Sequence, residues 1–235
     1  MPTLLVLAGG FGTRLSSMVK GVPKPLAPVC GTPFLEHQII NWRKQNISSF
    51  IFLLHYESKQ IIDALEQWRE TILKGSRVRY LVESSPLGTA GAVCNAVKQL
   101  DLHGEILITN ADTWLSGGID ALDRAGADSI LAVRVADSRR YGSLEIDHRG
   151  FVRSFSEKSE GYSGVQLISA GTYVLLAEHF RVWKSQVGSL ESDFFPTLVK
   201  KSALRAVPVD IEFTDIGVPE DYQRFCSDFS RNKVT

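Results

Sequence analysis

Apolar strands and amphipathic helices alternate along the first part of the chain, up to about residue 135. Residues 4–8 and 50–54 are short apolar runs, typical of strands that are buried on both faces. Between them, Leu35, Ile39 and Trp42 fall on one face of a predicted helix. Strands that alternate with helices in this way predict right-handed crossovers onto a mostly parallel sheet.

The later part of the chain has a different pattern. Three strands are predicted in succession at residues 141–146, 151–155 and 166–176, which favours antiparallel pairing. The other predicted strands lie at residues 78–82, 106–108 and 130–135, and the other predicted helices at residues 61–72, 92–100, 119–125, 177–185, 191–200 and 219–229. We therefore predict an α/β fold with a Rossmann-like mixed, mostly parallel sheet flanked by helices, and a small antiparallel insertion. A single domain over residues 1–235 is expected.

Charge and cysteine content exclude several classes of protein. Lys plus Arg and Asp plus Glu are both 26, so the balanced chain has no overall attraction to nucleic acid or to an anionic membrane. The cysteines, Cys30, Cys94 and Cys226, are odd in number and widely separated, which fits a reducing cytoplasm. No apolar stretch approaches the roughly 20 residues of a membrane span. We expect a cytoplasmic protein that binds a small ligand, with no nucleic-acid or membrane partner.

A glycine-rich segment follows the first predicted strand directly. Residues 9–15 read GGFGTRL, and glycines let consecutive backbone N–H groups approach phosphate oxygens. Arg14 adds a charged, two-pronged donor for a triphosphate. The segment is neither a Walker A loop nor a complete Rossmann fingerprint. The alternative interpretation is a tight strand-to-helix turn without a ligand.

Lys24 lies between two prolines, Pro23 and Pro25. The prolines fix the backbone on both sides and so limit where the ammonium group can go. A positioned point charge suits a phosphoryl oxygen that becomes more negative during transfer. An isolated lysine in a stiff, exposed loop is the alternative.

Together, GGFGTRL at residues 9–15 and PKPLAPV at residues 23–29 resemble the signature of the sugar-1-phosphate nucleotidylyltransferase family. The resemblance covers nearly the whole chain and continues, in family order, through residues 83–92, 110–112, 140–142, 157–158 and 215–222. Within the family, the chain is most similar to the short D-glycero-D-manno-heptose 1-phosphate guanylyltransferases. That narrower similarity rests on residues 33–36, 140–143 and 189–196.

The resemblance implies a GT-A-like nucleotidyltransferase fold and a magnesium-dependent reaction. The enzyme would transfer GMP from GTP to D-glycero-D-manno-heptose 1-phosphate, release pyrophosphate and form GDP-heptose for surface-polysaccharide assembly. Uridylyl, cytidylyl or thymidylyl transfer to another sugar 1-phosphate is an alternative. So is a glycosyltransferase, in which residues 110–112 would form a degenerate metal-binding Asp-x-Asp motif, or a non-catalytic sensor of nucleotide sugars. Only the nucleotidylyltransferase releases pyrophosphate.

Residue roles follow from the matched positions of the family motifs. The resemblance implies that Arg14 and Lys24 are catalytic residues and that Asp112 and Asp215 bind Mg²⁺. The implied nucleotide-binding residues are Ala8, Gly9, Gly10, Gly12, Thr13, Glu83, Pro86, Gly88, Thr89 and Asn110. The implied residues for binding the sugar 1-phosphate are Gly142, Glu157, Lys158, Ser169 and Ala170. The chemistry agrees for the metal, since Mg²⁺ prefers carboxylate and phosphate oxygens and aspartates at separate strand ends can converge on one ion. Each aspartate could equally be a helix-capping or turn residue.

Two further features concern the identity of the substrates. Ser169 stands where the family commonly has asparagine, so a direct sugar contact there is lost or bridged by water. Val218 replaces a common threonine, which is a milder change. Glu83 offers an acceptor-only carboxylate to the adjacent N1–H and amino donors of guanine, which favours GTP. The alternative is that Glu83 only caps the loop that leads to Pro86. We expect a monomer or a homodimer.

Overall fold

The structure, a computed structural model, describes residues 3–136, 141, 143–156 and 165–232. In chain order, the strands are β1 Leu4–Leu7, β2 Pro28–Val29, β3 Thr32–Pro33, β4 Ser49–Leu54, β5 Arg77–Val82, β6 Glu105–Asn110, β7 Thr113–Leu115, β8 Ser129–Val135, β9 Ser143–Ile146, β10 Val152–Ser156, β11 Gln166–Leu176, β12 Arg205–Val209 and β13 Phe213–Asp215. The helices are α1 Phe34–Lys44, α2 Ser58–Gln67, α3 Gly88–Gln99, α4 Ile119–Ala125, α5 Ala177–Val182, α6 Phe195–Val199 and α7 Pro219–Asn232. A 3₁₀ turn at Lys24–Leu26 and a π-helical turn at Leu190–Phe194 complete the description.

The chain groups into two compact units. The first comprises Met1–Ser85, Asn110–Ser116 and Glu212–Thr235. Its strands β1, β4 and β5 are parallel and lie in that order. Every residue of β4 is buried, which confirms the prediction of a strand covered on both faces. The strands β7 and β13 form a separate antiparallel pair in the same unit.

The second unit comprises Pro86–Thr109 and Gly117–Ile211. Strand β11 pairs antiparallel with β6, β8 and β9, whereas β8 pairs in parallel with β12. Strands β9 and β10 form an antiparallel hairpin. The parallel pairs of the first unit and the mixed pairs of the second confirm the predicted mixed sheet with its antiparallel part. The single domain over residues 1–235 stays a prediction, since compactness alone does not make a unit an independent domain.

The long predicted elements are found, whereas the short strands β2, β3, β7, β12 and β13 were not predicted. They contain two to five residues, too few for a periodic pattern. The predicted helix at residues 191–200 is divided into the π-helical turn and α6, and the one at residues 61–72 ends at Gln67. The part of the chain that the structure describes contains no helix with both the length and the hydropathy of a membrane span.

A buried cluster in the first unit joins α7 to the segment that precedes α1. It contains Leu15, Ala27, Val29, Phe34, Ile216, Tyr222 and Phe225. The hydroxyl of Tyr222 donates a hydrogen bond to the backbone carbonyl of Pro28. Burial raises the pKa of Tyr222 to about 12, because it disfavours the charged phenolate. Tyr222 therefore combines apolar packing with one hydrogen bond that ties α7 to β2.

Replacing Tyr222 with Phe should remove this hydrogen bond and lower the free energy of unfolding by about 0.5–1.5 kcal/mol. The pKa of Tyr222 is raised in the folded state, so its contribution to stability falls as the pH rises from about 10 to about 12. The variant should show a shallower loss over that range. Urea unfolding at several pH values measures both effects, with Tyr80→Phe on the exposed face of β5 as the control. Equal stability of wild type and Tyr222→Phe would contradict the assignment.

Candidate active site

The glycine loop, residues 8–13, leaves the end of β1 and is closely packed at two points. A Cβ atom on Gly9 would lie 3.2 Å from the Cβ atom of His55, which follows β4. Gly12 has a φ of +60°, and a Cβ atom there would lie 3.1 Å from the Cβ atom of Lys24. Glycine is favoured at Gly12 by the backbone conformation and by the narrow space. The loop therefore borders both β4 and Lys24.

Beyond the loop, the chain forms a turn held by Gly12. The N–H groups of Leu15 and Ser16 donate to the Gly12 carbonyl at 3.1 and 3.2 Å. Leu15 is buried and anchors this turn. Of the other predicted phosphate-binding residues, Ala8 is buried, whereas Gly10, Thr13 and Arg14 are exposed. The exposed Arg14 guanidinium can thus meet an anionic ligand from solvent.

Lys24 contacts both predicted metal ligands. Its Nζ atom donates to Oδ2 of Asp112 at 2.6 Å and lies 3.6 Å from Oδ1 of Asp215. The Lys24 side chain is only 13% exposed, while the aspartate side chains are 36% and 33% exposed. Pro23 and Pro25 are buried on either side of Lys24 and fix its backbone. The fold therefore places one ammonium group between two carboxylates.

The pairing of β7 with β13 brings the two aspartates together. Asp112 directly precedes β7, and Asp215 is the last residue of β13, opposite Thr113. The N–H of Ile216 also donates to the Asp112 carbonyl at 3.0 Å. Residues that are far apart in sequence thus become neighbours on adjacent strands.

Gly217 fits tightly against this cluster, although the sequence did not single it out as a site residue. Its N–H donates to Oδ1 of Asp215 at 2.7 Å. A Cβ atom on Gly217 would lie 2.8 Å from that oxygen and 2.9 Å from Nζ of Lys24. The sequence feature that could have identified Gly217 as a site residue is its position two residues after Asp215, within the family motif at residues 215–222.

Helix α1 supports β7 from its buried face. The Gln38 side-chain amide donates to the Thr113 carbonyl, and the Asn41 amide donates to the Leu115 carbonyl, both at 2.6 Å. These bonds fix the backbone of β7, which directly follows Asp112. The position of this carboxylate therefore depends on a helix that itself carries no candidate site residue.

Glu83 and Asn110 both belong to the first unit, and each lies at the end of a strand. Glu83 follows β5, and its N–H donates to the Leu54 carbonyl at 2.8 Å. The Glu83 carbonyl accepts from Nδ1 of His55 at 3.0 Å. Asn110 is the half-buried last residue of β6. The backbone at Glu83 is thus fixed, while the predicted reading of guanine by its carboxylate stays a prediction.

In the second unit, the segment at residues 86–91, which contains the predicted nucleotide-binding residues Pro86, Gly88 and Thr89, packs against Gly188. A Cβ atom on Gly88, where φ is +72°, would lie 2.5 Å from the Gly188 carbonyl oxygen. The N–H of Ala90 donates to that carbonyl at 2.9 Å, and the Thr89 hydroxyl accepts from the N–H of Leu190 at 2.8 Å. Gly88 and Thr89 therefore have structural roles that the sequence interpretation missed. Pro86 is exposed at the start of the segment.

Ser169 is part of a polar chain in the second unit. Its hydroxyl donates to the hydroxyl of Tyr173 at 3.3 Å, and Tyr173 donates to a carboxylate oxygen of Glu191 at 3.1 Å. The pairing register of β11 with β8 shifts between Ser169 and Tyr173, a distortion that includes the buried Ala170. The other predicted sugar-binding residues, Gly142, Glu157 and Lys158, lie outside the described residues.

The family model described as nucleotidyl transferase matches residues 3–231. The chain belongs to the nucleotidyl transferase family. It is 35% identical to a D-glycero-alpha-D-manno-heptose 1-phosphate guanylyltransferase from Campylobacter jejuni, over 94% of this chain and 97% of the relative. This nucleotidyl transferase therefore matches that relative along almost its full length.

Solved structures agree with this assignment. The crystal structure of HddC from Yersinia pseudotuberculosis has a TM-score of 0.86 and 34% sequence identity, covering 97% of this chain and all of the other. The same protein complexed with GMP-PN has a TM-score of 0.84, with the same identity and coverage. These similarities confirm the predicted fold class of this nucleotidyl transferase.

Replacing Gly217 with Ala should reduce nucleotidyl transfer while leaving the fold nearly intact. The three atoms nearest to the added methyl group all belong to the side chains of Asp215 and Lys24, so we expect these side chains to shift before the backbone does. A misplacement of about 1 Å can cost roughly 100-fold in rate. Pyrophosphate release and thermal unfolding measure the two effects. Gly117→Ala, with open space around its Cβ position, is the matched control. A fully active Gly217→Ala enzyme would argue against this geometry.

Proposed function

We propose that this enzyme transfers a nucleoside monophosphate, GMP from GTP, to a sugar 1-phosphate and releases pyrophosphate. The observation that supports this most directly is the convergence of Lys24, Asp112 and Asp215. This cluster joins a cation for phosphate oxygens to two ligands for a metal. The names of the similar proteins, a heptose 1-phosphate guanylyltransferase and a GMP-PN complex, favour the same reaction.

The reaction proposed here needs no nucleophile from the protein. An oxygen of the sugar 1-phosphate attacks the α-phosphorus of the nucleoside triphosphate, and pyrophosphate leaves from the opposite side. Catalysis then rests on alignment and on stabilisation of charge. The glycine-loop N–H groups and Arg14 would hold the triphosphate, and Lys24 would approach an oxygen that gains charge.

Asp112 and Asp215 are the proposed Mg²⁺ ligands. One carboxylate oxygen of each aspartate, Oδ2 of Asp112 and Oδ1 of Asp215, lies close to Lys24 Nζ. Among the described residues, no group of three or more His, Cys, Asp or Glu side chains could hold a metal. A pair of carboxylates nevertheless fits Mg²⁺, because this ion keeps several waters and binds substrate phosphates as well. When bound, Mg²⁺ would neutralise phosphate charge and orient the triphosphate.

The sugar 1-phosphate is assigned to the second unit by resemblance. Ser169, Ala170, Gly142, Glu157 and Lys158 are its proposed contacts. Because the Ser169 hydroxyl belongs to a chain that continues to Tyr173, its orientation is constrained by protein. D-glycero-D-manno-heptose 1-phosphate is the proposed sugar. A cytoplasmic location, and either a monomer or a homodimer, fit the proposal.

A pyrophosphate-release panel tests this function. Four nucleoside triphosphates are each combined with the heptose, mannose and glucose 1-phosphates in the presence of Mg²⁺. We expect the fastest release with GTP and the heptose, and near-background release by Asp112→Asn and Asp215→Asn, which each remove a negative ligand at similar shape. A preference for UTP, CTP or dTTP would overturn the guanylyl assignment. Consumption of a nucleotide sugar without pyrophosphate release would favour the glycosyltransferase alternative.

Replacing Glu83 with Gln should weaken the preference for GTP over UTP. The carboxylate can accept from both guanine donors, whereas an amide presents one acceptor and one donor group. The expected loss of discrimination is about 1–3 kcal/mol, the range for a good contact to a base edge. Ratios of kcat/KM for GTP and UTP measure it, with Ser84→Ala as the neighbouring exposed control. Unchanged ratios would contradict the reading of guanine by the Glu83 carboxylate.

A further inference from the structure

The Lys24 ammonium lies beside the carboxylates of both Asp112 and Asp215, where a metal ion is proposed to bind. The Nζ atom lies 2.6 Å from Asp112 Oδ2 and 3.6 Å from Asp215 Oδ1. Two carboxylates that share a site repel each other unless a positive charge lies nearby. Lys24 therefore stabilises a pair of like charges that the β7–β13 pairing forces together.

A divalent metal and the Lys24 ammonium would compete for the same oxygens. Mg²⁺ binds oxygen at about 2.0–2.1 Å, so a metal on Asp112 Oδ2 would lie within about 5 Å of an ammonium that kept its present contact. At that distance the two cations repel each other strongly in a partly buried site. Both cannot keep their best contacts with this carboxylate.

We propose that Lys24 is an internal counter-cation, which holds the aspartate pair until a metal–nucleotide complex arrives and then exchanges the aspartates for phosphate oxygens. This inference rests on the proposed function, because Asp112 and Asp215 are taken as the metal ligands. Metal alone binds weakly, since Lys24 must leave without a new partner. Metal with a triphosphate binds well, since phosphate replaces the carboxylates around Lys24. The binding of the metal and of the nucleotide is thereby coupled.

The local geometry permits this exchange by movement of one side chain. Pro23 and Pro25 are buried and hold the Lys24 backbone in place. The Cβ atom of Lys24 lies so close to Gly12 that any side chain on Gly12 would touch it. The stem of Lys24 therefore borders the glycine loop proposed to hold the phosphates. Rotation about the Lys24 side-chain bonds moves the ammonium from the aspartates towards that loop.

The test compares Mn²⁺ binding, followed by electron paramagnetic resonance, in wild type and Lys24→Met without nucleotide. Methionine keeps an unbranched apolar stem but removes the charge. We expect the variant to bind free Mn²⁺ at least about tenfold more tightly, because no internal cation opposes the metal. In calorimetry at saturating Mn²⁺, the variant should bind GTP at least about tenfold more weakly, since Lys24 no longer meets the phosphates. The two changes have opposite signs, which loss of structure would not produce.

Several controls make the outcome decisive. Lys20→Met removes an exposed charge four residues before Lys24 and should change neither affinity. Lys24→Gln also removes the charge but keeps a hydrogen-bond donor for Asp112. If Lys24→Met does not fold, the same measurements are made on Lys24→Gln. Lys24→Met combined with Asp215→Asn should lose the tighter Mn²⁺ binding. Free Mn²⁺ binding that is unchanged or weaker in Lys24→Met would overturn the proposal, as would tighter binding that persists in the double variant.

This experiment is separate from the test of the proposed function. The binding of free Mn²⁺ requires neither a sugar 1-phosphate nor turnover. Wild-type release of pyrophosphate together with unchanged Mn²⁺ affinity in Lys24→Met would refute the counter-cation role alone. Tighter Mn²⁺ binding in an enzyme that releases no pyrophosphate would refute the proposed reaction alone.

Discussion

The antiparallel pairing of β7 with β13 is the contact on which the candidate active site depends. It places Asp215 opposite Thr113 and so brings two carboxylates from distant parts of the chain to one ammonium, that of Lys24. Two strands of three residues each are too short to be stable alone. Their position is maintained by side-chain amides of α1, which bond the backbone of β7. The charged cluster is thus built on backbone pairing that a helix fixes.

Each charged group of this cluster is held by a buried neighbour in the chain. Pro25 follows Lys24, Ala111 precedes Asp112, and Ile216 follows Asp215. Apolar burial is not directional, yet it limits where the adjacent polar side chain can point. Glycines then supply the close approaches that side chains would prevent, as at Gly12 and Gly217. Hydrophobic packing therefore sets the positions, and electrostatic attraction sets the contacts within them.

Partly exposed carboxylates with an internal ammonium suit a site that must exchange partners. A fully buried ion pair would be costly to separate, whereas Asp112 and Asp215 are each about one-third exposed and can be reached from solvent. The same lysine that reduces the repulsion between the aspartates is the group proposed for the phosphates. In the proposed exchange, one cation thereby links the stability of the free site to the binding of its ligands.

The sequence by itself determined the strand and helix alternation, the mixed sheet and the family, because these depend on periodicity and on local motifs such as GGFGTRL. It also named Lys24, Asp112 and Asp215 as site residues. The tertiary structure decided that Lys24 contacts both aspartates and that Gly217 packs tightly against Asp215 and Lys24. It also decided that Gly88 and Thr89 pack against the segment around Gly188. Only the tertiary structure shows short strands such as β7, β12 and β13, which the sequence analysis did not predict. Their few residues carry no periodic signal, and they form only because distant backbone groups find hydrogen-bond partners once the chain has folded.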